Sequence, residues 1–219
     1  MSVVVSTPRP RHARRRDADA RLRDDERWET ATHARAPAPA RVDAWRGAAI
    51  EEIQANSVRE VAVAKAALAL ERCDRACAGV VAHDCGLCVR ALGGFPGPYT
   101  KDFNYRVGGD GLRALLDGAG AIDRSACWDE TLVLAREGRE MVVFTREKEY
   151  GDGEVGEPRK WTRWRDDASR SVGSVFVATG FGFDEPLADV SEDEYQRFRR
   201  DAPSVWSSFA AFVRESGEF

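Results

Sequence analysis

The stretch with the clearest capacity for chemistry is an apolar run that ends in a carboxylate and leads through a tight loop to a lysine. It reads Val80-Val81-Ala82-His83-Asp84-Cys85-Gly86-Leu87-Cys88-Val89-Arg90-Ala91-Leu92-Gly93-Gly94-Phe95-Pro96-Gly97-Pro98-Tyr99-Thr100-Lys101. Open α/β sheets build sites where strands deliver polar groups to their C-terminal ends, and Asp84 occupies such a position. Gly93 to Pro98 cannot continue as helix or central strand. A loop of this composition lets backbone approach a ligand closely, and Lys101 follows it as a compact positive charge. Taken alone, the same residues also describe a buried strand, a tight turn and a surface lysine.

Cys73, Cys77, Cys85 and Cys88, with His83 between them, are spaced Cys-x3-Cys and Cys-x2-Cys, near the spacing of structural zinc pairs. Read instead as small buried hydrophobes, they need no ion. Five cysteines in 219 residues do not make a disulfide scaffold, and their odd number argues for free thiols in a reducing compartment, hence a cytoplasmic protein. A chain of this length can bury one good-sized core. The net charge of −4 says nothing by itself about nucleic acid. No apolar run reaches membrane-spanning length, and none at the N-terminus reads as a signal peptide.

The elements that must position these residues follow in order. Ser2 to Thr7 is β-branched and reads as a strand, ended by Pro8 and Pro10. Arg9, Arg11, Arg14, Arg15 and Arg16 then crowd the chain, as phosphate contacts or as a solvated basic helix start. Asp17, Asp19, Asp24, Asp25 and Glu26 argue against a transit peptide and against a nucleic-acid arm. Ala13 to Glu29 reads as a surface helix and Ala36 to Ala40 as a linker, so residues 13–41 form a variable charged and Ala-Pro segment. Val42 to Trp45 reads as a short strand. Apolar spacing predicts a helix from Val58 to about Arg72, and another near Asp110 to Asp117. Ser125 to Thr145 reads as a hairpin turning at Arg136 to Arg139. Arg146 to Arg170 reads as a variable surface excursion. Ser191 to Phe212 reads as helix, break at Pro203, helix.

Residues Ala91 to Lys101 match, at every fixed position, the Ala-Leu-Gly-Gly-x-Pro-Gly-Pro-Tyr-x-Lys motif of the inosine triphosphate pyrophosphatase family, and the chain resembles that family from about Ile50 onward. Asp84 and Leu87 fit the family's acid-acid-Ser/Thr-x-Leu segment, but His83 stands where the first acid belongs. The resemblance implies a single α/β domain over residues 1–219, with a mixed elongated central sheet, flanking helices and two lobes around a nucleotide-binding cleft. It implies hydrolysis of deaminated purine nucleoside triphosphates to monophosphate and pyrophosphate, and a homodimer. It places Mg²⁺ on Glu52 and Asp84, with Glu51 competing for the first role, and makes Asp84 the group that orients or deprotonates the water. It places phosphate on Lys65 and Lys101. Without it, Glu52 is an acid at a helix start and Lys65 a solvent-facing lysine.

Other matches are partial. Thr7 survives from the family's Thr-Gly-Asn phosphate loop, while its Gly and Asn are replaced. Phe181-Gly182-Phe183-Asp184 matches the Phe-Gly-aromatic-Asp turn that packs on the purine, with Phe183 alternatively a core residue. Arg200 stands for the base-reading lysine and Ser204 is kept, but the His-Arg pair that follows it has become Val205-Trp206. Trp206 could stack a base instead. The departures leave a second reading, a catalytically weakened paralogue that binds nucleotide or a partner protein. A zinc-stabilised module is a third.

Overall fold

The computed structural model describes residues 2–6, 41–45, 50–73, 78–146, 149–160 and 171–216. Seven strands form one sheet: β1 (Ser2–Ser6), β2 (Arg41–Ala44), β3 (Gly79–Val89), β4 (Ser125–Ala135), β5 (Val142–Arg146), β6 (Gly153–Val155) and β7 (Phe176–Val177). Their order is β2-β1-β3-β4-β6-β7, with β5 also on β4. β1 pairs parallel with β2 and β3, and every later pairing is antiparallel. The sheet is therefore mixed. The long β3–β4 ribbon runs through both lobes, and β4 divides its far edge between β6 at its start and β5 at its end.

Strand parity allocates the two faces of this ribbon. Ala82, Val133 and Ala135 point to one side and receive Ala62 and Ala66 of helix α1 (Val58–Arg72). Val81, Leu132 and Leu134 point to the other and receive Val205, Trp206 and Phe209 of helix α5 (Val205–Ser216). Farther along, Leu87, Val89 and Ala126 enter the core of the second lobe with helices α2 (Thr100–Arg106) and α3 (Gly108–Gly118), through Phe103, Leu112 and Leu116. Helix α4 (Glu192–Asp201) starts at a capping box, in which Ser191 and Glu194 satisfy each other's backbone N–H groups. It ends two residues before Pro203, as the sequence predicts. Among the described residues, no helix is long and apolar enough to cross a membrane.

Two expectations need correction. Arg146 to Arg170 is not wholly a surface excursion. Within it Asp152 is buried, and β6 packs so tightly that a Cβ on Gly153 would lie 2.4 Å from the Phe176 ring. The cysteines are not all free thiols either, since Cys73 is disulfide-bonded. Cys85 and Cys88 lie three residues apart on one strand and so face opposite sides of the sheet, which rules them out as a pair of ligands to one ion. Thr7 and most of residues 13–41 lie outside the described residues.

The loop after β3 is held against the strand by a short relay. The backbone N–H of Leu87 donates to Thr100 Oγ1 at 2.9 Å, and that hydroxyl donates to the carbonyl of Gly97 at 2.7 Å. The approach requires glycine at 86, where a Cβ would lie 2.0 Å from the Gly97 carbonyl oxygen. Gly86→Ala is expected to lower stability by about 2–3 kcal/mol, since overpacking of this kind forces backbone to move. Urea unfolding measures it, and an unchanged midpoint would show that the loop is not held this way.

Candidate active site

Helix α1 begins where Ser57 accepts the backbone N–H of Glu60 at 3.2 Å. Its buried stripe runs Val58, Val61, Ala62, Lys65, Ala66, Ala69, so a lysine sits in the middle of the face that packs on the sheet. Lys65 is 1% exposed. A buried ammonium is tolerated only when paired. Its Nζ lies 2.5 Å from Asp84 Oδ1 and 3.2 Å from Glu52 Oε1. Glu52 uses its other oxygen for Lys101, also at 3.2 Å. The charges thus alternate from floor to rim: Lys65 and Asp84 buried, Glu52 partly covered, Lys101 half exposed. It is Glu52, not Glu51, that turns to both lysines.

Glu52, Asp84 and Lys101 line a cleft of about 70 Å³ together with His83, Cys85 and Pro98, while the buried Lys65 meets it only through its two carboxylate partners. Burial works against the charge of Glu52, but Lys65 and Lys101 outweigh it and hold the carboxyl below its ordinary range. At Asp84 burial wins. The carboxyl is held above its usual range despite Lys65, with Glu52 pushing the same way. One carboxylate is therefore fixed as a charge, and its neighbour is the more basic of the two. Burial, then the positive charge of Lys65, pushes His83 down to about 4. Its Nε2 is buried and has no hydrogen-bond partner among the described residues.

The other predicted residues lie apart from this cluster. Phe181 packs edge-on against Phe198 at 5.5 Å, beneath the guanidinium of Arg146 at 5.6 Å. Phe183 is buried in the second-lobe core, 5.8 Å from Phe198. Asp184 lines a larger pocket of about 450 Å³ with Lys160, Glu185, Glu194 and Arg197, which shares no residue with the charged cleft. Arg200 is exposed and pairs with its neighbour Asp201 at 3.1 Å. Ser204 accepts the backbone N–H of Trp206 at 3.2 Å and so opens α5. Trp206 is no stacking platform. It is 4% exposed, against His83 at 5.7 Å and Phe209 at 6.2 Å. Sequence reasoning did not single out Glu130, which shares the inward parity of Leu132 and Leu134 and stands out there as a charge, nor its register partner Arg146.

A sequence profile of the Ham1 family matches residues 30–161. The chain is 46% identical over 69 residues to an inosine triphosphate pyrophosphatase of Mycosarcoma maydis, a match spanning 32% of this chain and 34% of that protein. It is 33% identical over 152 residues to a dITP/XTP pyrophosphatase of Ignicoccus hospitalis, spanning 69% and 73%. Its fold superposes on a HAM1 protein of Coxiella burnetii with a TM-score of 0.68 at 15% identity, over 98% and 99% of the two chains. The chain belongs to the Ham1 family.

Replacing Lys65 by Met would leave two carboxylates facing one another in the cleft. The loss at neutral pH is expected to be about 3 kcal/mol. Asp84, already held above its usual range, would then be raised further, while Glu52 would keep only Lys101 to lower it. The penalty is full while both groups are charged and fades as falling pH protonates them. Urea unfolding of Lys65→Met and parent at pH 8 and pH 5 reads this directly, and a difference that does not shrink at pH 5 would contradict the assignment.

Proposed function

We propose that this Ham1-family chain is a nucleoside triphosphate pyrophosphatase that takes deaminated purine nucleotides such as ITP, dITP and XTP. The observation that carries the reading is the continuous Glu52–Lys65–Asp84–Lys101 ion-pair network, of which Glu52, Asp84 and Lys101 line one cleft over the buried Lys65. Water attacks the α-phosphorus, the new P–O bond forms as the bond to the bridging oxygen breaks, and pyrophosphate leaves with a monophosphate remaining. Such transfer depends on positioning and charge neutralisation more than on covalent help. Asp84, the more basic carboxylate, orients the water and takes its proton. Lys101 at the rim and Lys65 at the floor hold phosphate oxygens.

No cluster of three or more metal-ligating side chains occurs among the described residues. Two carboxylates fit a hard cation that completes its shell with water and phosphate, as Mg²⁺ does. Glu52 and Asp84 would hold it, where it would neutralise charge on the leaving phosphates. The lysines that now occupy these carboxylates would turn to phosphate oxygens, which replace the same charge.

A homodimer within the cytoplasm belongs to the same proposal. Exposed Phe95, Tyr105, Val107 and Leu115 supply apolar surface for the dimer. One observation favours the second reading, a nucleotide-binding paralogue with weakened catalysis. Val205 and Trp206, where the family's base-reading pair would stand, are both buried in the core under α5.

Pyrophosphate release with Mg²⁺ from ITP, XTP, dITP, dUTP, GTP and ATP decides between the readings. Turnover is expected for ITP, dITP and XTP. Asp84→Asn is expected to lose roughly 10³-fold in kcat while still folding cooperatively, with a lowered urea midpoint because Lys65 loses its nearest carboxylate. A variant turning over at the parent rate would remove Asp84 from the chemistry. Nucleotide binding without turnover would establish the paralogue.

A further inference from the structure

The α5 face of the β3–β4–β5 ribbon, opposite α1, is apolar beneath α5 and becomes polar toward the second lobe. Cys85 on β3, Glu130 on β4 and Arg146 on β5 are register partners, so they form one row across three strands. Parity turns the row to the α5 side, next to the row of His83, Leu132 and Phe144. Burial pushes the Glu130 carboxyl above its usual range, while the Arg146 guanidinium and then the backbone N–H of Val205 at the start of α5 pull it back. Glu130 Oε2 is buried with no hydrogen-bond partner among the described residues, and so is His83 Nε2 in the adjoining row. Two such atoms side by side are costly unless something meets them. Arg146 is fixed by Asp152 at 2.7 Å and lies over the Phe181 ring. That ion pair leaves guanidinium donors over. Cys85, at the end of the row, is exposed and also lines the charged cleft, so the row opens toward that cleft.

We infer that Glu130 and Arg146 read the nucleobase, Glu130 Oε2 accepting a ring N–H and Arg146 donating to the adjacent carbonyl. This rests on the nucleotide reading above and assigns residues to its base choice. The edge that satisfies both is the carbonyl and ring N–H of a 6-oxopurine. Adenine offers a lone pair at that ring nitrogen, which faces the carboxylate unfavourably, and an amino group where Arg146 needs an acceptor. Selectivity thus comes from β4 and β5, in place of the residues at 205 and 206. A site built to hydrogen-bond an N–H rejects the analogue lacking it far more strongly than an apolar pocket can.

Glu130→Gln tests this. It keeps the side chain's size and one acceptor but turns the free acceptor into a donor. kcat/KM for ITP and ATP is measured on parent and variant with Mg²⁺, and binding of IMP and AMP by calorimetry. The ratio of ITP to ATP is expected to fall roughly 10- to 100-fold, with IMP binding weakened in parallel and AMP binding not weakened. A merely structural role would lower both nucleotides alike, and that result, or an unchanged ratio, overturns the assignment. If the parent turns over neither triphosphate, the hydrolase reading fails and binding decides. A preference for IMP over AMP that disappears in the variant upholds Glu130 as the reader, whereas equal binding, or none, overturns it. Should Glu130→Gln not fold, Glu130→Asp withdraws the carboxylate by one methylene, and the same ratio is read.

Discussion

The structure depends on one buried ammonium. Lys65 is in the middle of the stripe by which α1 packs on the sheet, and a lone cation there would unfold the arrangement. Its neighbours on the stripe are alanine and valine, small enough to bring the helix close to β3. That closeness carries the ammonium to Asp84 and down to 2.5 Å. The carboxylate is then needed by the fold as well as by the chemistry. Glu52, arriving from irregular chain before the helix, completes the compensation and passes the charge outward to Lys101. A site assembled this way is preorganised, because its charges hold each other before any phosphate arrives.

The alternation of β3 divides the work. Even-numbered residues Ala82, Asp84 and Gly86 face α1 and the loop, where packing, charge and close backbone approach are required. Odd-numbered Val81, His83 and Cys85 face α5 and the row of Glu130 and Arg146. One strand thereby presents phosphate chemistry on one face and recognition on the other, and the two meet at its edge, where His83 and Cys85 line the same cleft as Asp84. Gly86 brings the loop in and fixes the start of α2, and Lys101 rides on that start. The second position of the helix that follows a tight loop can be held to a fraction of the freedom a surface lysine would have.

Much of this was legible in the sequence because its signals are local. The apolar run before Asp84, the glycine–proline loop, the helix from Val58 and the break at Pro203 each follow from residue chemistry over a few positions. The motif from Ala91 to Lys101 adds the family. What escaped was set by packing between distant segments. Lys65 has the type of a solvent-facing residue although its spacing from Val58, Val61 and Ala62 puts it on the buried stripe, and only the approach of β3 supplies the carboxylate that lets it stay there. Phe183 and Trp206 carry aromatic faces suited to a base, yet the second-lobe core and the α5 interface claim them. Glu130 and Arg146 lie 16 positions apart with nothing local to connect them, and the β4–β5 register brings them side by side.

The departures from the family pattern at 83 and 206 meet in the folded chain. The pattern has an acid at the first position and an arginine at the second. The two rings that stand there now are 5.7 Å apart, close enough that an acid and an arginine would pair. Replacing only one would strand a charge under α5, at a cost of several kcal/mol. Replacing both leaves a tilted histidine–tryptophan contact that is neutral, since burial holds His83 far below its usual protonation range. The α5 interface thus survives the loss of the charged pair. The demand for a polar base contact then moves to the nearest buried groups on the same face, and those are Glu130 and Arg146.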